Sequence, residues 1–278
     1  MTIEATVEPR REPTAHVNRL GFAKRPTKRK RSKKAKKRAP TMALQDLYVS
    51  CKEVFKGPGT VPLHHDVKRL CHMLDNMKLE DFGLSCKLKF FNPKAAVNGT
   101  PRVTYTIVYE CDKFSMCVFF LPATAVIPLH NHPGMTVFSK LLMGTMHVKS
   151  YDWVDPPTTD EPDSPAQVQL AKLEADSVFT APCHTSVLYP TTGGNIHQFT
   201  AITPCAFLDV LGPPYSNQDG RDCSYYKDFP YTAFPNGEMG LEEEEGDCYA
   251  WLEEITMPEN LQMAVIEYLG PQVDDGSS

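Results

Sequence analysis

No apolar run in the chain approaches the roughly 20 residues that a membrane-spanning helix needs, so no transmembrane segment is expected. The first residues hold no apolar core of a secretory signal, which points to a protein retained inside the cell. The nine cysteines are scattered, odd in number and never at CxxC spacing. That argues against a disulfide framework and against a cysteine-built structural zinc site, and fits reduced intracellular thiols. No internal repeat is visible, which excludes a repeat-built array.

Acidic residues are scarce at one end and abundant elsewhere. Residues 1–40 carry 14 Lys and Arg against 3 Asp and Glu, which leaves 15 basic and 31 acidic residues for the remainder. Between Lys24 and Arg38, eleven of fifteen residues are cationic, so self-repulsion predicts a disordered tail. Such a run reads as a nuclear localisation signal, with an arm contacting nucleic acid as the lesser reading. The acidic body argues against nucleic acid as the main ligand.

Apolar positions then recur with helical spacing at Leu44, Leu47, Tyr48, Cys51, Val54 and Phe55. A second helix is expected near Asp66, its N-cap, with Val67, Leu70, Cys71, Leu74 and Met77 on one face. From about Arg102 the pattern changes to short Val-, Ile-, Phe-, Tyr- and Thr-rich runs between Pro, Gly, Asn and Asp. These read as strands at 103–109, 114–121, 124–130, 136–142, 145–153, 167–173, 177–181, 186–189, 196–202 and 205–211, the pattern of a sandwich or barrel. Asp155 to Pro165 reads as an exposed loop, 212–237 as an ordered wrap without regular structure, and Glu242 to Glu245 as a solvated acidic run. Residues 258–269 are compatible with a helix opening at Pro258 or with a strand through Met263 to Ile266. The organisation is a tail over 1–40 and one domain over 41–278.

The chemistry concentrates in His130-Asn131-His132 and a lone His197 that follows Pro190-Thr191-Thr192-Gly193-Gly194-Asn195-Ile196. On a strand, side chains at i and i+2 share a face, so His130 and His132 would put two imidazoles on one wall. Imidazole suits zinc, copper, iron and nickel. An isolated HxH pair is equally compatible with half-buried polar residues, and its surroundings decide. Pro133-Gly134 and an apolar strand follow the pair, and the Gly-rich turn precedes His197.

These segments resemble the paired motifs of the cupin superfamily, an all-β double-stranded β-helix, or jelly-roll barrel, on which the two helices would pack from outside. The carboxylate of the first motif is absent, with Thr136 and Val137 in its neighbourhood, and Ala201 replaces an asparagine common in the second. Three neutral histidines leave an ion its full charge and open positions, which suits an anionic ligand such as a thiolate. The extended run from His130 to Lys140 is similar to the thiol dioxygenases, and closest to the branch of 2-aminoethanethiol dioxygenases and plant cysteine oxidases. The likeness spans roughly Leu47 to Val273. It includes His147-Val148-Lys149-Ser150-Tyr151-Asp152-Trp153, Asp209-Val210-Leu211-Gly212-Pro213-Pro214-Tyr215 and Tyr268-Leu269-Gly270-Pro271-Gln272-Val273.

That resemblance implies Fe(2+) on His130, His132 and His197, with Asp209 and Tyr215 as the catalytic residues. It implies O2 and proteins bearing an N-terminal cysteine, such as hypoxia-response transcription factors, as partners. Oxidation to the sulfinic acid would mark those proteins for arginylation and degradation. Both atoms of O2 end on sulfur, so neither a reductant nor 2-oxoglutarate is needed. Asp209 could accept a hydrogen bond from the substrate amine, and Tyr215 could donate to bound oxygen or position the peptide. Against these stand a turn residue and a packed aromatic. Cys223, eight residues beyond Tyr215, reads as a buried thiol, with a Cys–Tyr crosslink as the alternative taken from the animal relative. His147 and His184 read as structural, His64, His65 and His72 as surface histidines, and Met135 and Phe138 as barrel packing. The expected protein is a monomer of nucleus and cytoplasm with no membrane partner. The competing readings are a small-thiol dioxygenase, a non-catalytic nuclear cupin that binds partners, and a cupin isomerase, which would retain the carboxylate.

Overall fold

The computed structural model describes residues 41–85, 102–154, 168–233, 248–259, 261 and 263–276. The basic tail, the 155–165 loop and the acidic run at Glu242 to Glu245 lie outside the described residues.

Helix α1 (Met42–Val54) begins where the Thr41 side chain accepts the Leu44 N–H at 3.3 Å. Its apolar stripe is buried as the spacing predicts, from Leu44 through Leu47, Tyr48 and Cys51 to Val54. Helix α2 (His64–Asp75) starts two residues before Asp66. Leu63 is its N-cap, because the Leu63 carbonyl takes the N–H groups of Asp66 and Val67. Asp66 therefore sits in the first turn, where its charge suits the helix N-terminus and reaches Arg69 at 3.2 Å.

Twelve strands follow among the described residues: β1 (Val103–Glu110), β2 (Ser115–Leu121), β3 (Val126–His130), β4 (Thr136–Met143), β5 (Thr145–Trp153), β6 (Val168–Thr180), β7 (Ser186–Leu188), β8 (Ile196–Ala201), β9 (Cys205–Gly212), β10 (Tyr225–Pro230), β11 (Tyr249–Ile255) and β12 (Met263–Val265). One sheet runs β12-β1-β2-β9-β4-β7, and β10-β11-β6-β5-β8-β3 close on themselves where Tyr225 pairs with His130. The two layers face each other across Ile127, Leu141, Phe199 and Phe207, with the Phe199 and Phe207 rings 5.0 Å apart. This is the expected all-β double-stranded β-helix, with the helices outside.

Alternation along β9 decides what the helices cover and what the interior receives. Ala206, Leu208 and Val210 pack with Met116, Val118, Phe120 and Phe138 beneath the helices. Cys205, Phe207, Asp209 and Leu211 are the intervening residues, and all eight positions of the strand are buried. Phe138 meets Phe55 of the helical layer at 6.1 Å, edge to face, while Met135 packs with Val137 and Leu211.

Several elements differ from the pattern reading. The two strands expected over 167–181 are one, since β6 pairs with β5 from Ala171 to Thr180 and absorbs a bulge opposite Ser150 and Tyr151. Its polar Glu174 and Asp176 are exposed; Glu174 is the bulged residue, and pairing resumes on either side of it. The wrap expected at 212–237 contains β10, and β11 has no counterpart in the pattern; the two pair from Tyr225 with Ile255 to Pro230 with Ala250. The ambiguous 258–269 region resolves as the short strand β12, parallel to β1.

Candidate metal centre

His130 is the last residue of β3 and pairs across the sheet with His197, near the start of β8. His132 lies beyond the strand, so strand alternation does not place it. Side-chain bonds from Asn195 to its N–H and carbonyl hold it instead. The three rings stand 4.8 to 5.0 Å apart, centroid to centroid, and all three are buried. One nitrogen from each lies within 4.8 Å of the others, and no carboxylate or thiol joins this cluster among the described residues.

The outer nitrogens of two rings are fixed by hydrogen bonds. His130 Nδ1 lies 2.8 Å from the Pro128 carbonyl, which can only accept, so that nitrogen carries the proton and Nε2 keeps its lone pair. Tyr215 donates to the Asn131 carbonyl at 2.7 Å, which leaves its oxygen to accept from His132 Nδ1 at 2.9 Å. His132 Nε2 then faces His197 Nε2 at 3.0 Å. Two nitrogens bound at right angles to one first-row divalent ion, each about 2.1 Å from it, would stand about 3.0 Å apart. Burial holds His130 down to about 4, with the Pro128 carbonyl partly opposing. Burial, with repulsion between the rings, holds His132 and His197 well below the usual histidine range. Three neutral donors converging at these distances fit a divalent transition-metal ion.

A cavity of about 70 Å³ opens beside His130 and His132, lined by Asp209, Tyr215, Cys223 and Tyr225 together with apolar residues including Phe119, Ile127 and Phe207. Asp209 is 4% exposed. It pairs across the sheet with Ser139, whose hydroxyl donates to Asp209 Oδ1 at 2.6 Å. Burial pushes its carboxyl up to about 7, with the Ser139 bond pulling the other way. Burial likewise raises the Tyr215 hydroxyl well above its ordinary value and pushes the neighbouring Cys223 thiol up to about 12. A second cavity, of about 130 Å³, reaches His197 from among Val137, Leu141, Val148 and Leu188, and shares Phe199 and Phe207 with the first.

The structure thus brings together His130, His132, His197, Asp209 and Tyr215, with Cys223 beside Tyr215. His147 instead pairs with Asp176 at 2.5 Å, and His184 with Asp75 at 3.0 Å. His64, His65 and His72 are exposed on α2. Of Thr136 and Val137, Val137 lines the second cavity. Asn131 turns toward β10, accepting the Ser224 N–H at 2.9 Å and donating to the Tyr226 hydroxyl at 3.2 Å.

Sequence reasoning missed two residues of this region, Asp152 and Asn195. The turn before His197 needs Gly193 and Gly194, both at positive φ, and a Cβ on Gly194 would lie 2.5 Å from Ser150 Oγ. Asp152 receives the Gly194 and Asn195 N–H groups, and the Asn195 amide bonds both main-chain groups of His132. No local signal marks Asp152, because it meets the Gly194 and Asn195 N–H groups across 42 and 43 residues.

A family model described as PCO_ADO matches residues 73–273. The chain is 47% identical to "Plant cysteine oxidase 2" of Arabidopsis thaliana over 255 residues, covering 90% of each protein. It is 49% identical to "Plant cysteine oxidase 1" of the same plant over 241 residues, covering 84% of this chain and 81% of that one. Against the human "2-aminoethanethiol dioxygenase" identity is 33% over 177 residues, covering 58% of this chain and 65% of that protein. The matched span holds the whole histidine cluster and the cavity residues around it, and the chain belongs to the PCO_ADO family of thiol dioxygenases.

Proposed function

We propose that this thiol dioxygenase oxidises the thiol of an N-terminal cysteine on target proteins to the sulfinic acid, using O2 and Fe(2+) held by His130, His132 and His197. The observation that carries the reading is the buried cluster of three neutral imidazoles with no carboxylate among its ligand atoms. Iron(II), when bound, supplies a Lewis-acidic centre at which a thiolate and dioxygen can meet. Both oxygen atoms end on sulfur, so the electrons balance without a further reductant.

The remaining work belongs to the chain's own side chains. Asp209 lines the cavity with one oxygen held by Ser139, which leaves the other to accept from the substrate's α-ammonium group. The Tyr215 hydroxyl is engaged with Asn131 and His132 Nδ1, which supports a role in orienting the His132 ring ahead of direct proton donation. The apolar wall keeps water from the reacting sulfur. No Lys or Arg lines this cavity among the described residues, so the carboxylate of free cysteine finds no cation there, whereas a peptide bond needs none. That favours a protein N-terminus over free cysteine; cysteamine, which has no carboxylate, is the small-thiol alternative.

The reading extends to oxygen sensing. Sulfinic acid formation would commit hypoxia-response transcription factors to arginylation and degradation, and the run Lys24 to Arg38 would admit the monomeric enzyme to the nucleus as well as the cytoplasm. A fluorescent fusion should lose its nuclear share when that run is neutralised. The central test is anaerobic iron loading followed by air exposure with a peptide that begins with cysteine. Mass spectrometry should show a gain of two oxygen atoms, lost when the terminus is acetylated. Oxidation of cysteamine with no oxidation of the peptide would overturn the substrate assignment.

A further inference from the structure

β3 ends at His130, so His132 lies outside the ladder that pairs β3 with β8. Asn195 takes the ladder's place. Its Oδ1 accepts the His132 N–H at 3.1 Å, and its Nδ2 donates to the His132 carbonyl at 2.9 Å. This is the exchange that a paired strand residue makes with its neighbour, carried out here by one side-chain amide. The second proton on Nδ2 goes to the Tyr189 carbonyl at 2.7 Å, which fixes the amide's orientation.

The amide is itself anchored. Asp152 on β5 accepts the Asn195 N–H at 2.8 Å and the Gly194 N–H at 2.9 Å. Both side chains are buried, each residue 7% exposed, so the bonds form away from competing water. Two residues after Asn195 comes His197, whose ring nitrogen faces that of His132. One short chain of contacts therefore runs from β5 through the glycine turn to both histidines, and none of its links involves a metal.

We infer that Asp152 and Asn195 form a clamp that sets the spacing of His132 and His197 before any ion arrives, which makes them positioning residues for the metal centre. The inference rests on the assignment of the three histidines as ligands. Asn195→Asp keeps the acceptor for His132 N–H but turns the two donated protons into an oxygen that faces two carbonyls. Asp152→Asn keeps the shape and halves the acceptor capacity. Outer partners of metal ligands are typically worth about 10- to 100-fold in metal affinity.

The test is a titration of the full-length, metal-stripped protein with cobalt(II), read by visible absorption, alongside thermal unfolding of the metal-free form. Each single variant should bind cobalt(II) about 10- to 100-fold more weakly and show a shifted ligand-field spectrum at saturation. The double variant should be little worse than the weaker single, since the two residues act as one unit. A folded Asn195→Asp protein with wild-type cobalt affinity and spectrum overturns the clamp. So does lowered thermal stability with unchanged metal binding. Should Asn195→Asp not fold, Asp152→Asn decides by the same two measurements. His197→Ala, run alongside, separates the two levels. Loss of cobalt binding in His197→Ala with wild-type binding in the clamp variants overturns the clamp alone. Unchanged binding in His197→Ala overturns the ligand assignment and the clamp with it.

Discussion

Beneath α1 and α2, the sheet is sealed by carbon: Leu44, Leu47 and Leu70 from the helices meet Met116, Val118, Phe138 and Leu208 from the strands. On the other side, the same β4 and β9 carry Ser139 and Asp209, joined by a hydrogen bond, and the space beyond holds three histidines. The covered face uses many contacts of one kind, none individually indispensable. The inner face depends on a few directed polar contacts, such as Asn195 with His132 and Tyr215 with His132. Damage to the first should therefore appear as lost stability with the metal retained, and damage to the second as lost metal or turnover with the fold retained.

The sharpest separation is expected from His197→Ala. Metal content should fall to background and O2 uptake should vanish, while the far-ultraviolet circular dichroism stays that of a folded β protein. Full metal occupancy in this variant would break the comparison at its centre. Leu47→Ala should do the opposite. Leu47 is wholly buried in the helical layer, so its truncation should cost about 2–5 kcal/mol in urea unfolding with metal content unchanged.

Asp209→Asn should retain metal but slow peptide oxidation about ten- to hundredfold, the worth of a hydrogen bond to a charged group. It also carries a signature in stability. Burial raises the native carboxyl to about 7 from an ordinary 3.8, so the wild-type fold is favoured while the group is protonated. That advantage is full below the unfolded value and lost as pH rises through about 7. The metal-free Asp209→Asn protein should thus be more stable than wild type at pH 8, with the gap closing as pH falls toward about 4. A gap independent of pH would mean that the native carboxyl titrates no higher than in the unfolded chain. Ser139→Ala should have the smallest effect, raising the Michaelis constant for the peptide by about three- to tenfold through a loosened Asp209. No change beyond what Asp209→Asn already causes is expected in the double variant.

Much of the covered face was legible from spacing. The α1 stripe follows from the 3.6-residue period, and the first nine strands, apart from the division of β6, follow from β-branched and aromatic runs bounded by Pro, Gly, Asn and Asp. β10 and β11 escaped because Tyr225 to Pro230 mixes Lys, Asp and Pro, and because Glu253 and Glu254 stand side by side in Tyr249 to Ile255 and break the apolar alternation. The start of α2 was misplaced because Asp66 resembles a cap, whereas the cap is decided by which carbonyl the first free N–H groups reach.

The amino-acid sequence by itself determined the donor set: three histidines, a glycine turn ahead of the last, and no carboxylate in the usual place. It also determined which helix faces are apolar and where the basic charge gathers. Only the tertiary structure decided that Asn195 holds His132 across 63 residues and that Ser139 meets Asp209 across 70. It alone turned Asn131 toward β10 and Tyr215 onto His132. The reason is physical. Short spacings inherit their geometry from the backbone, whereas partners tens of residues apart meet only once strand register and loop closure have been settled by the whole fold.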